Sequence, residues 1–288
     1  MSTIDFRGKV CLLTGATRGI GRAAADALAR TGMTLVLVGR DPHRTEETVR
    51  AVREASGNGQ VEGLIADLSL QSAVRRLAAD FRARHQRLDV LVNNAGAIFT
   101  RREESAEGIE MTLALNHLAY FLLTLVLRDL LQASAPARVV NVASEAHRGM
   151  RLDFADLENR KRYSGLRVYG QSKLMNVLFT DELARRLAGT GVTVNAMHPG
   201  VVATGWGNNT PGVFKTLVRI ARPFMLSPEE GARTLVYLAT SPEVAGVTGK
   251  YFAKSREVGA SPAARDAAAA RKLWDASEQL VAARNAAA

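Results

Sequence analysis

A chain of 288 residues is long enough for one large domain or two small ones. Its composition, 47% hydrophobic and 23% charged, is that of a soluble globular protein with a sizeable core. The net charge of +10 admits an anionic partner, but the arginines are scattered, which favours a generally arginine-rich composition and argues against a nucleic-acid-binding surface.

The N-terminus and the longest apolar stretch indicate a cytoplasmic protein with no membrane insertion. The first residues, MSTIDFRGK, lack the apolar core of a signal peptide, and the stretch AYFLLTLVL ends at Arg128 and Asp129. Cys11 is the single cysteine, so no intrachain disulfide can form, and its apolar neighbours predict a buried thiol. The five histidines lack the spacing of metal ligands, so we expect no metal site.

Short apolar runs alternate with amphipathic stretches along the chain. The runs are apolar almost throughout, which is typical of strands buried on both faces of a parallel sheet. They predict strands at 10–14, 34–39, 61–66, 88–93, 138–144, 192–198 and 249–253. The stretches between them predict helices at 19–31, 43–55, 71–85, 108–132, 166–188 and 228–240. This alternation predicts a doubly wound α/β fold, a parallel sheet of about seven strands with helices on both faces.

Two later segments depart from the alternation. Residues 204–226 contain Gly, Asn and Pro around a short helical piece, which predicts a lid over a substrate. Residues 261–288 are rich in alanine, and RKLWDASEQL within them predicts a C-terminal helix anchored by Trp274. No linker rich in Pro, Gly or Ser divides the chain, so we expect a single domain over 1–288.

A glycine-rich turn, TGATRGIG at 14–21, follows the first predicted strand. Gly15 permits a tight turn, while Gly19 and Gly21 leave room for a pyrophosphate at the start of the next helix. The free N–H groups and dipole of a helix N-terminus favour such an anion. The spacing differs from the commonest dinucleotide-binding pattern, and glycine also serves plain turns. The position between strand and helix favours a dinucleotide.

The end of the second predicted strand indicates which dinucleotide binds. Sites for NAD place an acidic residue there for the ribose 2′-hydroxyl, whereas sites for NADP use arginine for the 2′-phosphate. Here Gly39 is followed by Arg40, and Arg18 is close enough to assist. NADP(H) is therefore the preferred cofactor, with NAD(H) as an alternative. Asp41 could face the ribose or cap the following helix.

Tyr169 and Lys173 stand four residues apart in the predicted helix VYGQSKLMNVLF, and this spacing places both side chains on one face. A phenol alone has a pKa of about 10, and an ammonium beside it favours the phenolate and lowers that pKa. The pair could then exchange a proton with a carbonyl or alcohol oxygen. Such a pair arises by accident in about one chain in ten of this composition, so it needs support from other motifs.

Several motifs, in one order along the chain, resemble those of the short-chain dehydrogenase/reductase family. They are TGATRGIG at 14–21, NNAG at 93–96, Ser144, Tyr169-x-x-x-Lys173 and Pro199-Gly200, and the resemblance covers nearly the whole chain. It implies a Rossmann-type fold and hydride transfer between a nicotinamide and a carbonyl or alcohol carbon. It also implies a homodimer or homotetramer.

The resemblance implies roles for the matching residues. Tyr169 would be the general acid and base, Lys173 would lower its pKa and bind the nicotinamide ribose, and Ser144 would hydrogen-bond the substrate oxygen. Asn116 would complete a catalytic tetrad by holding a water molecule. The implied cofactor-binding residues are Gly15, Thr17, Arg18, Gly19, Ile20, Gly21, Arg40, Asp67, Leu68, Asn94, Ala95, Gly96, Tyr169, Lys173, Pro199, Gly200, Val202 and Thr204.

The insert between Ser144 and Tyr169 indicates a subgroup. Ser144 and Tyr169 are 25 residues apart, about twice the separation usual in the family, and the insert between them holds RGMRLDFADLENRKRYSGL. With SKLMNVLFTDELARRL, this insert resembles the retinol-dehydrogenase-like subgroup. Members of that subgroup act on retinoids, steroids, lipid aldehydes and other apolar carbonyls. We therefore expect a small apolar aldehyde, ketone or alcohol as substrate.

Plainer interpretations of these residues stay open. Ser144 could be a turn residue at a strand end, NNAG could be a plain turn, and Tyr163 could serve a lid or packing. His147 and His198 are interpreted as structural. The alternative function is a nucleotide-sensing or scaffold protein without catalysis, because a fold alone never implies an activity. A third interpretation is that this chain is an epimerase or dehydratase, since some of these enzymes have the same Tyr-x-x-x-Lys pair.

Overall fold

The computed structural model describes residues 6–200 and 226–282, which form an α/β domain around an eight-stranded sheet. The strands are β1 Val10–Thr14, β2 Thr34–Gly39, β3 Val61–Ile65, β4 Val90–Asn93, β5 Ala137–Val142, β6 Val192–His198, β7 Tyr251–Ala253 and β8 Arg256–Glu257. Their order across the sheet is β3-β2-β1-β4-β5-β6-β7-β8. The first seven pair in parallel, and β8 pairs with β7 antiparallel.

Helices cover both faces of this sheet. They are α1 Gly19–Ala29, α2 Pro42–Ser56, α3 Gln71–Arg84, α4 Met111–Leu113, α5 Ala119–Val126, α6 Arg128–Ala133, α7 Gly165–Arg186, α8 Pro228–Thr240 and α9 Ala267–Ala282. A π-helical turn over Ala114–Leu118 joins α4 to α5. Within the described ranges, no helix combines the length and the apolar character needed to cross a bilayer.

The strands are apolar throughout because the sheet is buried on both sides. Successive residues of β1 point to opposite faces, so Leu12 packs in the core that faces α3, α5, α7 and α9, and Leu13 in the core that faces α1 and α8. Cys11, Leu12 and Leu13 are fully buried. Burial raises the pKa of the Cys11 thiol, so Cys11 behaves as a small apolar residue, as the sequence predicts.

The sequence predicts the seven parallel strands and the helices between them, and the structure confirms this fold class. The prediction differs from the structure at one helix and one strand. The helix expected over 108–132 begins at Met111 and changes hydrogen-bonding pattern at the π-helical turn and at Leu127. Strand β8 holds two exposed residues, so no apolar run marks it. The predicted lid over 204–226 lies outside the described residues except for Leu226.

The strand order reverses between β1 and β4, whose carboxyl ends therefore open a crevice at that edge of the sheet. The helices that follow β1 and β4 leave the sheet in opposite directions, so ligands of such folds bind there. The glycine turn, the NNAG turn, Ser144 and Pro199-Gly200 all follow the carboxyl ends of strands β1, β4, β5 and β6 at this edge.

Candidate active site

The NNAG turn after β4 supports the glycine turn after β1. Asn94 Nδ2 donates to the carbonyls of Thr14 and Gly15 at 2.8 and 3.1 Å. The N–H groups of Asn94 and Ala95 donate to Thr14 Oγ1 at 2.9 and 3.1 Å. Gly15 has a φ of +66°, and a Cβ on it would lie 2.8 Å from Ala95 Cα. NNAG is therefore more than a plain turn, since it fixes the glycine turn in place.

The start of α1 suits a bound pyrophosphate. Arg18 is the N-cap residue, its side chain makes no capping bond, and the first helical turn carries no acidic residue. The N–H groups of that turn therefore remain available at the positive end of the helix dipole. A Cβ on Gly21 would lie 2.6 Å from Asn94 Nδ2, so this position must be glycine for the turn to pack.

Gly39, at the end of β2, lies where an NAD site would carry an acidic side chain. A Cβ on Gly39 would overlap Thr45 Oγ1 and lie 2.7 Å from Thr17 Cγ2. Thr45 is buried, and its hydroxyl donates to the Asp41 carbonyl at 2.7 Å, so it cannot easily move away. This position has no room for a carboxylate.

Asp41 caps helix α2. Its Oδ1 accepts a hydrogen bond from Arg44 N at 2.8 Å, and Pro42 occupies the first helical position. Of the two roles open to Asp41, the geometry shows the cap. Arg40 directly follows the end of β2 and is exposed.

The other predicted cofactor residues follow β3 and β6. Asp67 Oδ1 accepts from Ser69 N and Oγ at 3.0 and 2.7 Å, whereas Leu68 is buried in the core. Gly200 has a φ of +86°, and its N–H donates to His198 Nδ1 at 3.0 Å. Val202 and Thr204 lie outside the described residues, so their predicted contacts with the nicotinamide carboxamide stay predictions.

Tyr169, Lys173 and Ser144 come together between α7 and the end of β5. Lys173 Nζ lies 5.5 Å from the centre of the Tyr169 ring and donates to the Val142 carbonyl at 3.1 Å. Ser144, two residues beyond Val142, hydrogen-bonds the Tyr169 hydroxyl. Both α7 side chains are buried, with Tyr169 8% and Lys173 3% exposed. The spacing of four residues on α7 places the two side chains together, as the sequence suggests.

The electrostatics of this pair differ from the sequence-based expectation that Lys173 lowers the pKa of Tyr169. Burial raises the pKa of the Tyr169 phenol, although the hydrogen bond from Ser144 opposes that rise. Burial also lowers the pKa of Lys173 to about 7, so near neutral pH only about half of the Lys173 amines carry a charge. Tyr169 therefore keeps its proton at neutral pH, which is the form that can protonate an alkoxide.

Asn116 lies in the π-helical turn, and its amide fixes the segment that follows the NNAG turn. Oδ1 accepts from Ala97 N at 2.9 Å, while Nδ2 donates to Ala97 O and Ser172 Oγ at 2.9 and 3.1 Å. A Cβ on Gly96 would lie 3.2 Å from Asn116 Oδ1 and 3.4 Å from Lys173 Nζ. Asn116 thus lies beside Lys173, and its predicted role in holding a water stays a prediction.

Tyr120 belongs to this site, although the sequence did not distinguish it from a core residue. Its ring centre lies 5.8 Å from Lys173 Nζ, and the side chain is 1% exposed. Within the described residues its hydroxyl has no hydrogen-bond partner, which is uncommon for a buried phenol. Burial and the neighbouring Tyr169 raise the pKa of Tyr120. The available signal was a tyrosine one helical turn after Asn116 in an apolar helix.

Tyr163 has a packing role. Its hydroxyl donates to the Phe99 carbonyl at 3.0 Å and lies 3.2 Å from Thr112 Oγ1. Burial raises the pKa of Tyr163 to about 12. The residue thus fastens the end of the insert to the segment that follows the NNAG turn.

This sheet, with a pyrophosphate-type turn and a buried Tyr–Lys–Ser group at its switch point, defines an oxidoreductase of the Rossmann type. The chain belongs to the short-chain dehydrogenase family, whose model matches residues 9–211. It is 42% identical to Retinol dehydrogenase 14 from Homo sapiens over 96% of this chain and 87% of the relative. Retinol dehydrogenase 13 from Homo sapiens is 41% identical, over 97% and 86%. The resemblance to the family and its retinol-dehydrogenase-like subgroup is therefore confirmed.

Solved structures share the fold. A protein from Mycobacterium Paratuberculosis, described only as uncharacterised, superposes with a TM-score of 0.78 and 34% identity over 96% of this chain and 95% of its own. The Pseudomonas aeruginosa RhlG/NADP active-site complex gives a TM-score of 0.69 with 29% identity over 88% and 96%.

Proposed function

We propose that this chain is an NADP(H)-dependent oxidoreductase that transfers a hydride between the nicotinamide and a carbonyl or alcohol carbon of an apolar substrate. The observation that carries the proposal is the buried group of Tyr169, Lys173 and Ser144, held beside two turns that fit a dinucleotide. A bound nicotinamide supplies the hydride donor or acceptor.

The residues of this chain supply the proton and the orientation. In reduction, Tyr169 donates its phenolic proton to the oxygen on which negative charge develops. Ser144 Oγ accepts from Ala146 N–H at 3.2 Å, which leaves its own proton free to point at Tyr169 or at the substrate oxygen. Lys173 donates to the Val142 carbonyl, and its amine lies 5.5 Å from the centre of the Tyr169 ring.

Arg40 and Gly39 support the preference for NADP(H). The overlap between Thr45 and any side chain at position 39 argues against an acidic partner for a ribose 2′-hydroxyl. Asp41 is engaged as a helix cap, and the exposed guanidinium of Arg40 suits a 2′-phosphate. The RhlG complex contains NADP according to its description, which is consistent with this choice.

Two observations support an apolar substrate. The similar human proteins are named retinol dehydrogenases, and retinol is an apolar alcohol. Leu166 lies one helical turn before Tyr169 on α7 and is 57% exposed, so a large apolar side chain stands open near the catalytic phenol.

The test is the variant Tyr169→Phe, assayed by NADPH oxidation with a panel of apolar aldehydes and ketones that includes retinal. We expect kcat to fall by about 10²–10⁴-fold because the proton donor is lost, with cofactor affinity nearly unchanged. Tyr237→Phe is the control, since Tyr237 is a half-buried tyrosine on α8 whose hydroxyl donates to Glu243, just beyond the end of that helix. Normal turnover by Tyr169→Phe would contradict the mechanism. Cofactor binding by the wild-type protein without turnover of any substrate would instead support the sensor or scaffold alternative.

A further inference from the structure

Two buried histidines lie between the catalytic residues and the C-terminal segment, defined here as Ser261–Ala282. His117 is 1% exposed and His147 is 0% exposed. A buried imidazole needs a partner for each ring nitrogen, because an unpaired polar atom away from water is costly. In both residues one nitrogen faces the catalytic region and the other faces the C-terminal segment.

His147 links the backbone of Ser144 to the start of the C-terminal segment. Its Nδ1 lies 2.6 Å from the Ser144 carbonyl, which can only accept, so Nδ1 carries the proton. Its Nε2 accepts the N–H of Ser261 at 3.1 Å. Both partners are thus satisfied by the neutral ring, and burial lowers the pKa of His147.

His117 makes the corresponding link to helix α9. Asn176 Nδ2 donates to the Val142 carbonyl at 3.3 Å, so its Oδ1 faces His117 Nδ1, at 3.4 Å. His117 Nε2 hydrogen-bonds the Ser277 hydroxyl at 2.9 Å. That hydroxyl also donates to the Leu273 carbonyl at 2.7 Å. Burial lowers the pKa of His117 to about 4, so this ring is neutral too.

The His117 link ends at the catalytic lysine. The Val142 carbonyl that accepts from Asn176 also accepts from Lys173 Nζ. One carbonyl therefore holds the lysine and the last amide of a chain of hydrogen bonds that begins on α9. The chain runs from Ser277 through His117 and Asn176 to Val142.

We propose that the C-terminal segment is a positioning part of the active site, holding Ser144 through His147 and Lys173 through His117 and Asn176. This inference rests on the proposed function, because it concerns the residues assigned to proton transfer. His117, His147 and Asn176 are assigned as positioning residues, because each acts through Ser144 or Lys173. Positioning residues affect turnover because a displacement of about 1 Å in a catalytic group can lower the rate about 10²-fold.

Two variants cut these links inside the C-terminal segment. Ser277→Ala removes the hydroxyl that pairs with His117 Nε2. Ser261→Pro removes the N–H that His147 accepts from, and the φ of −62° at Ser261 already suits proline. Neither change touches a residue of the catalytic group. For each we expect kcat to fall about tenfold, with substrate KM and cofactor Kd within about twofold of wild type.

The matched control loosens α9 without touching either link. The Arg186 guanidinium lies 4.2 Å from the centre of the Trp274 ring, so Arg186→Ala weakens the docking of α9 and leaves both histidines in place. We expect a lower Tm with unchanged kcat for this control. Ser277→Thr, which restores a hydroxyl, should recover most of the lost kcat.

A second readout does not depend on activity. In the cofactor-free protein, hydrogen–deuterium exchange of peptides covering 143–148 should accelerate in Ser277→Ala and Ser261→Pro, and not in Arg186→Ala. Two results would overturn the proposal: kcat within about twofold of wild type in both link variants, or kcat falling in step with Tm in all three variants. If the wild-type protein turns over no substrate, the proposed function fails, and the exchange comparison alone decides on the positioning role.

Discussion

Burial changes the pKa of the Lys173 amine. That amine is 3% exposed, donates to the Val142 carbonyl, and lies near the rings of Tyr120 and Tyr169 at 5.8 and 5.5 Å. Those rings and one carbonyl replace hydration incompletely, so the charged form is disfavoured and the pKa falls to about 7. A lysine that can gain or lose a proton near neutral pH is useful beside a proton donor. Burial of its charged form also destabilises the folded protein.

We expect Lys173→Met to stabilise the cofactor-free protein in a way that depends on pH. The unfolded lysine has the ordinary pKa of 10.5, and the folded one about 7. Between these values the unfolded chain binds a proton that the folded chain lacks, so unfolding free energy rises with pH by about 1.4 kcal/mol per pH unit. At and below pH 7 the full cost of burying the charge is present, and near pH 10.5 it is gone.

Thermal unfolding at pH 6, 8 and 9.5 measures this dependence. The gain in Tm of Lys173→Met over wild type should be largest at pH 6 and should shrink steadily toward pH 9.5. Lys161→Met is the control, since Lys161 is exposed and its ammonium stays hydrated. A gain that does not vary with pH would show that methionine stabilises by apolar packing alone.

Arg40 tests the cofactor preference at the same scale. Arg40→Ala should lower kcat/KM for NADPH about tenfold or more, because a charge-assisted bond to phosphate contributes about 1.5–3 kcal/mol, and leave kcat/KM for NADH nearly unchanged. Arg50→Ala, an exposed arginine on α2, is the control for net charge. Equal losses with both cofactors would remove Arg40 from the 2′-phosphate site.

At the scale of the element, helix α2 provides a test of whether the Asp41 carboxylate caps the helix or binds the cofactor. Asp41→Ala removes the bond to Arg44 N, and the loss of such a cap destabilises the start of the helix. We expect a lower free energy of unfolding in urea with an unchanged ratio of kcat/KM for NADPH and NADH. Asp41→Asn keeps a capping oxygen and should retain most of the stability. A changed cofactor ratio in Asp41→Ala would return Asp41 to the ribose site.

The elements also show what the sequence could and could not reveal. Apolar runs such as VCLLT mark the strands because both sheet faces are buried, and the spacing of Tyr169 and Lys173 is a property of one helix. The π-helical turn at Asn116 left no such mark, because it depends on bonds from the Asn116 amide to Ala97 on a distant segment. The pKa of Tyr169 follows from tertiary burial, which local spacing cannot report.

At the scale of the whole molecule, α9 closes one face of the domain. The chain runs from β8 back across the sheet, and α9 packs along α7 with the Trp274 ring 5.0 Å from that of Phe121 and 6.0 Å from that of Phe179. The sequence predicts the anchor at Trp274. The partners come from α5 and α7, far away in the chain, so only the folded arrangement reveals them.

Trp274→Ala should therefore destabilise the whole domain. Trp274 is 2% exposed, and replacing a buried tryptophan by alanine costs about 3–5 kcal/mol because its packing contacts are lost and a cavity remains. Phe154→Ala is the control, because that half-buried ring contacts Lys272 on the outer side of α9 and should cost less. Urea unfolding followed by circular dichroism measures both. A loss below about 1 kcal/mol for Trp274→Ala would mean that α9 adds little to the core, since a docked helix that stabilises the domain cannot lose its central ring at such a small cost.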